Sequence, residues 1–486
     1  MELEPGSKQE KRKIEKSSRK KKLSNREFMK VTYLFVGIFL LMMGYMVYFN
    51  VFQSKDIINS PYNVRLDFMA DRVVRGQILA NDGAVLAKTD VSESGHETRV
   101  YPYGEMFAHA VGYDSRGKAG LESTENFHLL TSNAFFTEKL WKEFREQKNI
   151  GDNIVTTLDV DLQEAAYKAL GDYRGAVVVM EVSTGKILTM VSKPDFNPNT
   201  IANDWERLVS HGESVLLNRA TQGAYIPGST FKLVTTLAYM RQTPGYMDYM
   251  YDCEGSIVQD GTTIHCAKNR AHGEQDLKAS FANSCNAAYS DLGLILKYSN
   301  YKKTAEDLLF NKELPCRLPY SQSKFRLTKE DGSAETMMTA MGQGKTQTSP
   351  YHMLLISAAV ANGGILMEPY MVDRIENYTG TTVEKYMPKK YDELMSSKEA
   401  SVLKEYMLSV VENGTAAALK GQSYTVAGKT GTAEYSSDKE KTHSWFVGFT
   451  NVNNPDIAIS VIIENYDNSG TNAVTVAKKV LNAYYN

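Results

Sequence analysis

Ser229 and Lys232 lie three residues apart in the stretch AYIPGSTFKLV. On a helix that spacing places a hydroxyl and an amine on one face. A lysine that has shed its proton can take the proton of such a serine and make it a nucleophile. The same Ser-x-x-Lys spacing recurs in this lysine-rich chain, starting at Ser17, Ser18, Ser183 and Ser436 among others. Ser17 and Ser18 fall in a basic amino-terminal tail, and Ser436 in the polar stretch EYSSDKEKTH. Ser183 and Lys186 fall in the turn STGK, between GAVVVMEVS and KILTMVSKPD, two runs that read as a β-hairpin. Ser229 follows Pro227-Gly228 and opens the helical run STFKLVTTLAYM. There the free N–H groups and the dipole of a helix start favour developing negative charge. Taken alone, the pair also fits an N-capping serine beside a solvated lysine.

Two further motifs carry related chemistry. Ser284-Cys285-Asn286 is the only Ser-x-Asn in the chain, and Lys429-Thr430-Gly431-Thr432 contains the only Lys-Thr-Gly, inside an expected strand. Cys285 reads as an inward-packing residue, because a cysteine nucleophile wants a base beside it.

The elements around these motifs alternate in kind. LDVDLQEAAYKAL begins with an acidic residue suited to a helix start, followed by the hairpin just described. Residues 229–420 read as helices broken by loops. YTVAGKTGTAEY, HSWFVGFTN and DIAISVIIEN read as three strands, and NAVTVAKKVLNAYY as a closing helix. Short connections make those last strands antiparallel neighbours, and strands at both ends imply one shared sheet. Upstream, RGQILANDGAVLAKT reads as strand, Asn-Asp-Gly turn and strand, in a region without a nucleophile arrangement.

At 486 residues with 42% hydrophobic and 23% charged content, the chain is globular and has room for about three domains. Its net charge of −2 conceals a basic tail: residues 1–30 hold eleven Lys/Arg and five Asp/Glu. Such a block suits either a nucleic-acid arm or a plain tail. Val31 to Ser54 then carries no charge, and its apolar part of about 21 residues matches a hydrocarbon core of about 30 Å. Residues 31–52 are expected to be a transmembrane helix, with the basic tail cytoplasmic and everything after Lys55 outside. Nucleic acid is then not an expected partner. All four cysteines lie in the exported part, where Cys253 and Cys266 are candidates for a disulfide around a Gly-containing turn. Cys253, His265 and Cys266 lack zinc-finger spacing, so no metal is expected.

With Ser-x-x-Lys, Ser-x-Asn and Lys-Thr-Gly in this order, the chain from about Asn153 onward resembles the transpeptidase domain of penicillin-binding proteins. Gly342-Gln343-Gly344 and WFVGF after the Lys-Thr-Gly strand are similar to that family as well. RGQI with DGAVLA resembles the pedestal of its class B, single-activity members, although Ala80-Asn81 stands where an Asp-Arg pair is common. The resemblance implies an α+β fold of the serine β-lactamase type: an antiparallel sheet flanked by helices, with a mostly helical subdomain. It also implies an organisation of tail (1–30), transmembrane helix (31–52), pedestal (53–150) and transpeptidase domain (151–486).

It implies peptidoglycan D,D-transpeptidation of stem peptides ending in D-Ala-D-Ala, inhibited by β-lactams and without a cofactor. Ser229 would be the nucleophile, Lys232 its base, Ser284 a proton relay and Asn286 an orienting group. Lys429, Thr430, Gly431 and Thr432 would bind substrate, and the N–H groups of Ser229 and Thr432 would form the oxyanion hole. A multi-span membrane polymerase of glycan strands would be the partner. A hydrolase, either a carboxypeptidase or a β-lactamase, and a non-catalytic β-lactam sensor or division scaffold are the rival readings.

Overall fold

A computed structural model describes residues 8–49, 70–145, 147–210, 212–434, 442–466 and 471–486. Ser436, the far end of the expected membrane segment and the residues linking it to the pedestal lie outside them. The chain divides into two units, residues 1–64 and residues 65–486.

Among its described residues the first unit forms one long helix, Lys8–Tyr48. Its stretch Phe28–Tyr48 has 21 residues and a mean hydropathy of 1.9. At about 1.5 Å per residue it reaches about 30 Å, enough to cross a bilayer once. The basic block is the amino-terminal continuation of this helix, with Ser17 and Ser18 on it.

The core of the second unit is a five-stranded sheet in the order Val426–Glu434, Thr442–Thr450, Ile457–Tyr466, Gly175–Glu181, Ile187–Lys193. Every neighbouring pair is antiparallel, and the early and late strands of the catalytic unit meet where Ile457–Tyr466 pairs with Gly175–Glu181. Ser183 sits in the hairpin turn, which Gly185 closes at φ +87°. Asp159 caps the helix Val160–Leu170 by accepting from the Leu162 N–H. That helix packs with Ala473–Tyr485 against the sheet. The helix Pro350–Ala361 is buried at every residue, in keeping with a sequence that is apolar nearly all round. It lies between the sheet and the helix Ser397–Glu412, which opens with a capping box formed by Ser396 and Glu399.

Two features add to the sequence expectation. Residues 229–420 contain short strands as well as helices, including Met250–Cys253 paired with Gly273–Asp276, and Ser256–Gln259 paired with Thr262–His265. The sheet that holds the pedestal strands also takes in strands from beyond residue 150. This six-stranded sheet runs Thr382–Lys385, Val372–Glu376, Asn153–Thr156, Ile78–Leu79, Val85–Val91, Glu97–Val100. Segments distant in sequence thus complete the sheet, a pairing that no local pattern announces. The expected hairpin of Ile78–Leu79 with Val85–Val91 forms as read. Nearby, the fully buried Glu122 carboxylate accepts from Arg75 Nε at 2.6 Å and Arg99 Nε at 2.7 Å. Asn81 donates to Asp159 Oδ2, joining the pedestal turn to the cap of the first catalytic-unit helix.

Candidate active site

Ser229 sits in a single 3-10 turn, Gly228–Phe231, and the α-helix proper begins at Lys232 and runs to Gln242. The turn is held from below by Phe231, whose buried ring packs edge-on against Phe310 and near-parallel to Phe325. The helix is fixed by buried hydroxyls: Thr235 meets Tyr301 OH at 2.7 Å and Thr236 meets Tyr289 OH at 2.6 Å. Upstream, Trp445 Nε1 donates to the Ile226 carbonyl at 3.2 Å, and Tyr225 OH donates to Glu464.

Glycines allow the backbone to close around the serine. Gly228 has φ +55°, and a Cβ there would lie 2.7 Å from the Thr432 carbonyl. Gly342, at φ +93°, is so close that a Cβ would fall 1.7 Å from the Gly228 carbonyl. Gly431 also leaves space beside the serine turn. A Cβ there would sit 3.1 Å from Thr230 Cγ2 and from Trp445 Cβ, so this glycine makes room for the serine turn itself.

The three motifs meet through their polar groups. Lys232 Nζ donates to the Ser284 carbonyl at 2.7 Å, to Ser284 Oγ at 3.2 Å and to Asn286 Oδ1 at 2.8 Å. Lys429 Nζ donates to Ser284 Oγ at 3.0 Å and to the Thr430 carbonyl at 3.0 Å. Asn286 Nδ2 donates to the His265 carbonyl. One hydroxyl therefore stands between two lysines, both fully buried. Burial lowers Lys232 from its ordinary 10.5 to about 7, and burial together with the Lys232 charge pushes Lys429 well below the usual lysine value. The rings of Tyr289 and Phe281 face the two ammonium groups at 5.1 and 5.6 Å.

Ser284 itself has φ +55°, a left-handed conformation uncommon for serine. Cys285 follows as the N-cap of the helix Asn286–Ile295, fully buried. Thr430 is half-buried and Thr432 exposed on the strand Val426–Glu434, beside the serine turn. None of the hydrogen bonds of Lys232 among the described residues goes to Ser229. The lysine reaches instead to the Ser-x-Asn motif.

The expected disulfide is not formed. Cys253 Sγ and Cys266 Sγ are 3.7 Å apart, well beyond a bond of about 2.0 Å, and both thiols are free. The sequence reading also passed over Tyr289, Thr235 and Thr236. Only the packing of distant elements brings them to the site, and nothing in their local sequence marks them.

Comparison with known proteins places the chain. Residues 175–482 match the family model described as penicillin binding protein transpeptidase domain, and residues 75–154 match penicillin binding protein A dimerisation domain. The peptidoglycan D,D-transpeptidase PbpA of Mycolicibacterium smegmatis is 30% identical over 443 residues, covering 85% of this chain and 89% of that protein. The imipenem acyl-enzyme complex of penicillin-binding protein A from M. tuberculosis superposes with a TM-score of 0.77 at 27% identity, covering 85% of this chain and 99% of that structure. A D,D-transpeptidase domain from Eggerthella lenta gives a TM-score of 0.76 at 29% identity, with 85% and 98% coverage. The chain belongs to the penicillin-binding protein transpeptidase family, of the class B type with an amino-terminal dimerisation domain. Its activity is that of a serine D,D-transpeptidase of peptidoglycan.

Proposed function

We propose that Ser229 is the acylated nucleophile of this enzyme and that Lys232, Ser284, Asn286 and Lys429 carry its protons and charge. The observation that supports this reading is the bonded set Lys232–Ser284–Lys429, with Asn286, beside the turn that bears Ser229. With an amine near 7, Lys232 is substantially neutral at physiological pH and can accept the Ser229 proton. Ser229 Oγ then bonds to the carbonyl carbon between two terminal D-alanines. The N–H groups of Ser229 and Thr432 hold the oxyanion, a contribution of roughly 10²–10³ in rate per donor.

As the C–N bond breaks, a proton passes from Lys232 through Ser284 Oγ to the departing D-alanine amine. The amine of a second stem peptide attacks the ester, loses its proton along the same path, and regenerates Ser229. Asn286 orients Lys232, and Lys429 with Thr430 and Thr432 receives the substrate carboxylate. A β-lactam would enter as the same amide and remain as an ester, as in the imipenem complex of the M. tuberculosis relative.

The Lys/Arg-rich helix start before Phe28–Tyr48 supports a cytoplasmic amino terminus and an exported catalytic unit. A Glu15→Cys variant would stay unlabelled by an impermeant thiol reagent in intact cells, and labelling there would reverse the topology. Glycan strands would come from a separate multi-span membrane polymerase. Its capture in complex with the pedestal by cross-linking is the check on that partner. The central test is the intact mass after penicillin treatment. One penicilloyl adduct, mapped to Ser229 and lost in Ser229→Ala, is expected, and an adduct on Ser183 or Ser436 would overturn the assignment.

A further inference from the structure

Three of the four cysteines converge beside the Ser-x-Asn motif, on elements separated in sequence. Cys253 ends the strand Met250–Cys253, Cys266 follows the hairpin strand Thr262–His265, and Cys285 caps the helix Asn286–Ile295. His272 lies just before the strand Gly273–Asp276, with its Nδ1 3.4 Å from Cys253 Sγ. Cys266 Sγ stands 3.7 Å from both Cys253 Sγ and Cys285 Sγ. The four side-chain ligand atoms all lie within 4.8 Å of one another, and the three cysteines are buried.

These spacings have a physical meaning. Bonds of about 2.3 Å to sulfur and about 2.05 Å to nitrogen, meeting at a tetrahedral angle, put two sulfurs about 3.8 Å apart and a sulfur and a nitrogen about 3.6 Å apart. The observed 3.7 and 3.4 Å fit ligands around a common centre. They do not fit a disulfide. The Ala288 N–H donates to Cys285 Sγ at 3.4 Å as the N-cap bond of the helix Asn286–Ile295, which fixes where that sulfur sits.

We propose that Cys253, Cys266, Cys285 and His272 form a tetrahedral site for zinc that fixes the Ser-x-Asn motif. Three thiolates and an imidazole suit zinc rather than calcium or magnesium. Binding replaces the three thiol protons, which leave to solvent, and His272 binds as the neutral ring. The site differs from the sequence grouping, which had His265 in place of His272 and left out Cys285.

Its consequence for the active site follows from position. Cys285 lies between Ser284 and Asn286, the two residues that bind Lys232. Cys266 follows His265, whose carbonyl accepts from Asn286 Nδ2. A metal tying Cys266 to Cys285 therefore clamps both sides of Asn286 and holds Ser284 at φ +55°. The four ligands are positioning residues, acting through Ser284 and Asn286.

The test uses the full chain purified in detergent without chelator. Elemental analysis is expected to find one zinc per chain in the native protein and in Ser229→Ala, so the metal site is tested apart from the nucleophile. Cys266→Ser and His272→Ala should each lose most of it. Because those variants could misfold, native protein stripped by a chelator is refilled with Co²⁺. Thiolate-to-cobalt charge-transfer absorption with visible tetrahedral bands is expected. Stripping should slow penicillin acylation by about 10²-fold, the scale of a misplacement near 1 Å, and zinc should restore it. A Cys253–Cys266 disulfide in the native protein would overturn the site. So would cobalt without thiolate bands, or zinc retained in both variants. Unchanged acylation after verified zinc loss would overturn the clamp.

Discussion

Lys232 Nζ donates to both the carbonyl oxygen and the hydroxyl of Ser284, at 2.7 and 3.2 Å, while Ser284 holds a left-handed backbone. The lysine thus binds the strained residue twice. A non-glycine residue in this region costs on the order of 1–3 kcal/mol unless its surroundings impose it.

Strain and function should therefore separate at Ser284. Ser284→Gly relieves the backbone but removes the hydroxyl between the two lysines. It should be more stable than Ser284→Ala by about 1 kcal/mol in denaturant unfolding. Both variants should be acylated by penicillin roughly 10²-fold or more slowly, the usual scale for a lost proton-transfer group. Wild-type acylation in either variant would remove Ser284 from the relay.

The pH dependence follows from Lys232. With its folded value lowered by burial to about 7, acylation should rise with pH and level off above about 7. In the unfolded chain the lysine stays protonated up to about 10.5, so between these values the unfolded state binds more protons. Its contribution to stability therefore grows as pH rises from about 7 to 10.5, and below 7 both states are protonated and its pH dependence ends. A pH–rate profile of penicillin acylation that is flat from 6 to 9 would contradict this assignment.

Gly342→Ala should cost more than Gly431→Ala. The first forces a Cβ onto the Gly228 carbonyl at a φ of +93°, whereas the second asks Thr230 and Trp445 to give by a few tenths of an ångström. Losses of about 3 and about 1 kcal/mol are expected in thermal unfolding, with acylation slowed in both. The reverse order would mean that the Gly342 loop yields easily.

Transfer should outrun hydrolysis. Between Asn286 and Lys429 the sequence has no Glu-x-x-x-Asn of the kind that activates a deacylating water in class A β-lactamases. The penicilloyl ester on Ser229 should persist in a pulse-chase with labelled penicillin. Release within seconds, with catalytic formation of penicilloate, would identify a β-lactamase instead.

Patterns spanning a few residues were enough for the apolar helix, the Ser183 turn, the Asp159 cap, the last three strands and the three ordered motifs. Each is governed by turn chemistry, periodicity or spacing among near neighbours. The active centre needed more. Ser284 and Lys429 are 145 residues apart, and their hydrogen bond exists only because a helix start and a sheet edge pack together. Packing likewise set the value of Lys232, since burial has no local signature. It gave Gly431 a neighbour in the serine turn, and it completed the pedestal sheet with strands from residues 372–385. The same holds for Cys253 and Cys266, which by sequence suggested a pair. Tertiary structure brought His272 and Cys285 to the same place, with all four ligand-type atoms within 4.8 Å of one another, because separate elements converge there in space.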